Sequence, residues 1–236
     1  MQETIFVKVA KKILNQIFRK SFVKKIFFEL SQLPDLVDDK TVCKSLKHLV
    51  EQYIGCNGKS LVQHIYDKLE ELQLLNTLDI DEPINKFQYH MACYFTKQVV
   101  DELSPSRANH LGYSANQLDH TFNQKRKELI LQALKDCSQA LETLDKNHSN
   151  YFDSQCQLVI EHIEKLNKKY SEMFLRPYMP VTSNGIFTVK DLRISRPEIK
   201  SSSFESYLLE AKKEIRAKLE NTTLTAPQVN NQYSMN

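Results

Sequence analysis

The chain has 236 residues, of which 41% are hydrophobic and 26% charged, an ordinary composition for a globular protein. This length can form one sizeable core or two small domains in series. Only 4 residues are glycine, although strand-rich enzymes and nucleotide-binding folds use glycine at tight turns and phosphate loops. The composition therefore predicts an all-α fold and argues against enzymes that need glycine-rich cofactor cradles.

The formal net charge of +3 is too small to indicate a nucleic-acid partner, but the charge is unevenly distributed. Residues 1–30 carry seven Lys/Arg and two Asp/Glu, whereas residues 31–104 carry seven Lys/Arg and twelve Asp/Glu. A basic segment followed by an acidic one favours packing of the two segments against each other. The alternative is a basic face that is free to bind a partner.

The five cysteines include no Cys-x-x-Cys pair, and four of them lie on or beside apolar helical stripes. This pattern is typical of a reducing compartment. No run approaches the roughly 18 apolar residues of a membrane span, and the N-terminus lacks the apolar region of a signal peptide. We therefore expect a cytoplasmic protein, and later export through a non-classical bacterial secretion route stays open.

Helical periodicity extends over the first hundred residues. The first apolar stripe ends near residue 18 and continues in a rotated position, so the helix breaks near residues 20–21 or changes its neighbours there. Further helices are predicted over residues 40–54, after the N-cap candidate Ser60, and from Pro83 to residue 103. We expect residues 1–104 to form an N-terminal helical bundle.

The first helix has a basic face opposite its apolar stripe, formed by Lys8, Lys11, Lys12 and Arg19. Lysines in this position occur both on packed surface helices and on interfacial membrane helices. Because the stripe that follows needs a protein core to bury it, packing within the chain is the favoured interpretation. A partner-binding face is the second interpretation and membrane contact by this helix is the third.

The clearest pattern is a long antiparallel helical hairpin within residues 105–175. Seven residues repeat the alternating four-and-three spacing of an a/d seam: Phe152, Cys156, Val159, Ile163, Leu166, Tyr170 and Met173. A similar seam precedes the polar connection at residues 145–150, which is short enough to make the two helices neighbours. An a/d seam packs within one chain or against a second copy, so a homo-oligomer through residues 115–174 stays open.

The character of the chain changes after residue 175. Prolines break the helix, and a Ser-Asn-Gly turn signal predicts that residues 176–203 form a β-hairpin or an irregular arm. Such an arm would expose Ile186, Phe187 and Val189, which are therefore candidate partner-binding residues.

A C-terminal amphipathic helix is predicted over residues 204–220. Its apolar face supplies four further candidate partner-binding residues, namely Phe204, Leu208, Ile215 and Leu219. The tail at residues 221–236 has no charged residue after the helix and is predicted to be disordered.

Two motifs suggest a chemical site without supplying one. Gly58-Lys59-Ser60 matches the end of a phosphate loop, but the position five residues before Gly58 is Tyr53 and not glycine. His90 and Cys93 could share one helix face, yet no second ligand pair follows, so packing in the core is favoured. We predict no catalytic residue, no cofactor and no metal ligand.

The sequence thus predicts a non-enzymatic helical protein that binds other proteins, as an adaptor or a structural subunit of a larger complex such as a bacterial secretion complex. The alternative is a secreted bacterial effector that acts on host proteins, because the uncharged tail looks loosely like the C-terminal signals of type IV secretion substrates. An enzyme of an unrecognised helical type is the third hypothesis.

Overall fold

The structure is a computed structural model that describes residues 3–34, 36, 38–75, 82–103, 113–174 and 201–225. Over these residues the chain is all-helical, as predicted, and contains no strand. The helices are α1 (Ile5–Ile17), α2 (Lys20–Gln32), α3 (Asp39–Tyr53), α4 (Cys56–Glu71), α5 (Pro83–Leu103), α6 (Tyr113–Glu142), α7 (Tyr151–Phe174) and α8 (Ser201–Thr225).

The N-terminal stripe rotates because the helix breaks. Helix α1 ends at Ile17 and α2 begins at Lys20, with Phe18 and Arg19 both extended between them. Helix α1 starts at Thr4, whose hydroxyl accepts a hydrogen bond from the Val7 amide and whose hydroxyl also lies 2.7 Å from the Asp39 carboxylate. This contact joins the first turns of α1 and α3.

Helices α3 and α4 pack tightly around a glycine turn. Gly55 has a φ of +107°, a conformation that favours glycine, and it stands between the end of α3 and the start of α4. Helix α4 begins at Cys56, so the expectation that Ser60 caps it is wrong. Because Gly58 has no side chain, the first turn of α4 can lie against Val50.

Helix α5 is the central element. It contacts five other helices, namely α1, α4, α6, α7 and α8. Seven consecutive residues, 90–96, are buried, so this part of the helix is covered on all sides. The buried side chains of every helix therefore join one continuous hydrophobic cluster.

Helices α6 and α7 pack on each other across the connection at residues 143–150, and both also contact α5. Five of the seven predicted α7 seam residues are buried, namely Cys156, Val159, Ile163, Leu166 and Tyr170. They lie in the cluster that the rest of the chain shares.

Helix α8 packs on α5 and α7, which places a segment distant in sequence against the central helix. It extends to Thr225, so residues 221–225 continue the helix beyond the predicted start of the tail. The predicted arm, with its β-hairpin alternative, lies outside the described residues apart from the first turn of α8.

We predict that Gly58→Ala destabilises the protein by about 1–2 kcal/mol. An added Cβ would clash with Cγ1 of the buried Val50, and the cost of overpacking exceeds the gain of roughly 1 kcal/mol in helix propensity. Urea unfolding followed by circular dichroism measures the change. The exposed neighbour Asn57→Ala is the control, and a Gly58→Ala variant as stable as wild type would contradict this packing.

Candidate functional site

Exposed apolar side chains are concentrated on and beside α2. Among the described residues, five large hydrophobic side chains are exposed, and four of them lie within residues 17–33. These are Ile17 at 43%, Phe22 at 40%, Phe28 at 66% and Leu33 at 41% exposure. Together with the cations between them, they form what we call the α2 face, defined by Ile17, Arg19, Lys20, Phe22, Lys24, Lys25, Phe28 and Leu33.

The helical repeat explains why these side chains point outward. Val23, Ile26, Phe27 and Leu30 recur at three- and four-residue spacing and are buried, and α2 packs on α1 and α3. The positions between them therefore point away from the core, and Phe28 lies near the middle of that outer side. The helical repeat therefore turns the Phe28 ring toward solvent, and two lysines lie one turn before it.

The α2 face carries positive charge without internal compensation. Arg19, Lys20 and Lys24 are exposed and form no ion pair within the part of the chain that the structure describes. Lys25 lies over the Tyr53 ring, with its Nζ 4.8 Å from the ring centroid. Glu29, the acid of α2, accepts a hydrogen bond from the Tyr53 hydroxyl.

An open pocket of about 290 Å³ lies at one end of the α2 face. Side chains from the α1–α2 junction and from the end of α3 line it: Ile17, Phe18, Arg19, Phe22, Tyr53 and Ile54. Its walls are mostly apolar, with one guanidinium among them. The pocket can accept an apolar group that lies close to a negative charge.

Most of the predicted basic face is compensated within the chain. The Nζ atoms of Lys8 and Lys11 lie 3.9 and 3.3 Å from carboxylate oxygens of Glu3. Lys12 Nζ lies 3.1 Å from Glu210 of α8. Of the predicted set, Arg19 alone belongs to the α2 face.

The predicted partner-binding residues of α8 lie in the core of this chain. Phe204, Leu208 and Ile215 are buried, and Leu219 is partly buried against the same cluster. The Phe204 ring contacts the rings of Tyr94 on α5 and Tyr170 on α7, with centroids 4.9 and 4.2 Å away. The other predicted residues, Ile186, Phe187 and Val189, lie outside the described residues.

A charged cluster joins α8 to α1 and α5 around the buried His90. Its Nε2 lies 3.2 Å from Glu214 and its Nδ1 3.7 Å from Glu210, while Lys86 Nζ lies 3.3 Å from Glu214. Burial lowers the pKa of His90, against the opposing effect of the two carboxylates. Burial alone would raise the pKa of Glu214, but the positive charge of Lys86, together with the close approach of His90, outweighs it and the pKa is lowered.

His90 and Cys93, which could share one helix face as metal ligands, are both buried in α5. Burial raises the pKa of the Cys93 thiol to about 12, so the thiol stays protonated at neutral pH. Within the described residues, no group of three or more His, Cys, Asp or Glu side chains is arranged to hold a metal ion.

A polar pocket of about 330 Å³ between α3 and α4 is a weaker candidate. Its two lysines already have partners, since Lys47 Nζ lies 2.9 Å from the Gln63 side-chain oxygen and Lys59 Nζ lies 2.8 Å from Glu51. A ligand there would have to displace both contacts.

The rotated apolar stripe that the sequence predicts after residue 18 does not show which phenylalanines of α2 are exposed. The stripe that is buried consists of residues 23, 26, 27 and 30, and two phenylalanines fall outside it. From Phe22 to Phe28 the sequence has five aromatic and aliphatic residues, which is too many for one helix face. This excess indicates that some of them are exposed.

No protein-family model, no curated protein and no solved structure matches this chain. Among the described helices, none is both long enough and apolar enough to cross a bilayer.

We predict that His90 makes the protein less stable in mild acid. In the unfolded chain its imidazole takes up a proton near pH 6.5, whereas the lowered pKa keeps the folded imidazole neutral to lower pH. The unfolded state then binds more protons, so the free energy of unfolding falls as the pH drops below about 6.5.

Urea unfolding at pH 7.5 and 5.5 measures this dependence. The fall should be smaller in His90→Gln than in wild type and unchanged in the control His148→Gln, whose imidazole is exposed in the α6–α7 connection. Equal falls in wild type and His90→Gln would show that His90 does not titrate as its surroundings require.

Proposed function

We propose that this chain is a non-enzymatic interaction protein, an adaptor or a structural subunit of a larger complex, and that it binds a protein partner through the α2 face. The observation that carries the proposal is the grouping, within residues 17–33, of four of the five large hydrophobic side chains that are exposed in the described part of the chain. Exposed apolar groups surrounded by polar residues are typical of interaction sites, whereas single scattered ones are ordinary.

The size of the apolar contribution fits a docking surface. Full burial of a Phe, Ile or Leu side chain contributes roughly 1.5–3 kcal/mol, and Phe28 keeps most of its surface in water. Covering Phe22 and Phe28 in a partner would therefore supply a useful part of a binding free energy. Aromatic residues at the centre of an interface commonly have this role.

The buried reactive groups support the non-enzymatic part of the proposal. Cys43, Cys93, Cys137 and Cys156 are buried thiols, and burial raises the pKa of each of them to between about 11 and 12. Such thiols are poor nucleophiles at neutral pH because the thiolate is the reactive form. They contribute to packing as small hydrophobic groups.

The C-terminal helix enters this proposal as part of the scaffold. A partner could reach Phe204, Leu208 or Ile215 only after α8 had left its place on α5 and α7. Deletion of residues 177–236 would remove these side chains from the core and would therefore be an ambiguous test of binding.

Association of two copies through residues 115–174 and a cytoplasmic location remain expectations of the sequence.

We predict that the double substitution Phe22→Ser, Phe28→Ser abolishes partner capture and leaves the fold intact. Phe28 is mostly exposed, so its loss should change stability by only about 0.5 kcal/mol, and loss of the partly covered Phe22 should cost about 1 kcal/mol. The measurement is affinity capture of the tagged full chain from its native source, read by quantitative mass spectrometry. Circular dichroism verifies the fold.

The matched control is Leu209→Ser on α8, because Leu209 is as exposed as Phe28 but lies outside the α2 face. Wild type and the control should retain the same stoichiometric partners, and the double variant should lose them. Retention of these partners by the double variant would contradict docking through the α2 face.

A further inference from the structure

We propose that the occupant of the α2 face is an acidic segment of a protein partner, which places an apolar side chain in the pocket beside Phe22 and carboxylates opposite Arg19, Lys20 and Lys24. This inference rests on the proposed function and specifies the chemistry of the partner. It rests on the charges of the α2 face, on the shape of the pocket and on the position of Phe28.

The two basic surfaces of the N-terminal segment differ in whether their charges are paired within the chain. Lys8, Lys11 and Lys12 on α1 each have a carboxylate within 4 Å, supplied by Glu3 or by Glu210. Across the described residues the chain provides no such carboxylate to Arg19, Lys20 or Lys24, all of which are exposed. Carboxylates of another molecule would supply the complement to these cations.

The pocket beside Phe22 favours a protein segment over a membrane surface. Its lining comes from the end of α1, the start of α2 and the end of α3, so it is an open depression between three elements. A single projecting side chain can enter it, whereas a flat bilayer surface covers it without filling it. Arg19 lies in its wall, which favours an apolar anchor with an acidic neighbour.

The spacing of the anchors sets the length of the segment. Phe22 and Phe28 are six residues apart on one helix, which is about 9 Å along the helix axis. On the outer side of α2, Lys25 lies between the two rings, and Lys24 lies beside Phe28 one turn before it, so an occupant that covers both rings passes over Lys25 and beside Lys24. A segment of roughly seven to ten residues, with apolar anchors and acidic residues between them, fits these dimensions.

The test is a selection of phage-displayed random peptides on the full chain, after depletion of the library on the folded Phe22→Ser, Phe28→Ser variant. Peptides that survive depletion need the α2 face. We expect them to combine spaced apolar residues with Asp and Glu. If the enriched peptides need the face but are neutral or basic, docking stands and the acidic partner is overturned.

If no peptide that binds wild type is lost on the double variant, the docking surface itself is overturned. The failure of the proposed function and the failure of this inference are therefore distinguishable. Anionic vesicles of phosphatidylcholine and phosphatidylserine are the membrane probe. Their co-sedimentation with wild type but not with the double variant, together with a selection that yields no acidic peptide, would overturn the protein segment in favour of a lipid surface.

Charge reversal tests the same point quantitatively. We predict that Lys20→Glu, Lys24→Glu weakens binding of a selected acidic peptide by about tenfold or more, because two attractions become repulsions. Lys165→Glu, Lys169→Glu on α7 is the control, with the same charge change and the same four-residue spacing at exposed positions. Equal affinity of the two variants, measured by fluorescence anisotropy at low salt, would overturn the inference.

Discussion

The burial of residues 90–96 of α5 on all sides is the constraint on which the rest of the structure depends. A helix with seven consecutive buried residues cannot face water anywhere along that stretch, so its neighbours have to surround it. Helices α1 and α4 cover one part and α6, α7 and α8 cover the rest. The N-terminal bundle and the long helices that follow share this element.

The side of α5 that bears His90 shows how the last helix closes the fold. Phe204, Leu208 and Ile215 bury apolar surface against α5 and α7, and Glu210 and Glu214 bring carboxylates to His90, Lys12 and Lys86. Each buried aliphatic or aromatic side chain contributes roughly 1.5–3 kcal/mol, whereas the exposed ion pairs contribute up to about 1 kcal/mol each. Apolar burial therefore contributes most to holding α8 in place.

This closure also explains why the α2 face is distinctive. Once α8 occupies its position, the apolar stripes of the described helices lie in one core. Helix α2 sits at the edge, where α1 and α3 cover only its inner side. Its outer aromatic rings and unpaired cations have no counterpart in the described part of the chain, so they are the surface where binding to another molecule has the most to gain.

Local signals determined the parts of the fold that could be predicted. Pro83 starts α5, Gly55 ends α3, and the seam of α7 marks Tyr151–Phe174 because caps, prolines and spacing act within a few residues. The position of α8 could not be predicted, since it depends on contacts between residues such as Lys12 and Glu210, almost the whole chain apart. The α2 face was missed because periodicity counts apolar residues without showing which side has a neighbour.

Hydrogen–deuterium exchange of the full chain, resolved by peptide, tests most directly whether α8 closes a single bundle around α5. The account predicts that the amides of residues 204–219 exchange as slowly as those of α5 and α7, because the three helices would open together. Exchange of α8 at the rate of an unfolded chain, with α5 and α7 still protected, would contradict it. The bundle would then hold together without its last helix, and the buried face of α8 would be available to a partner.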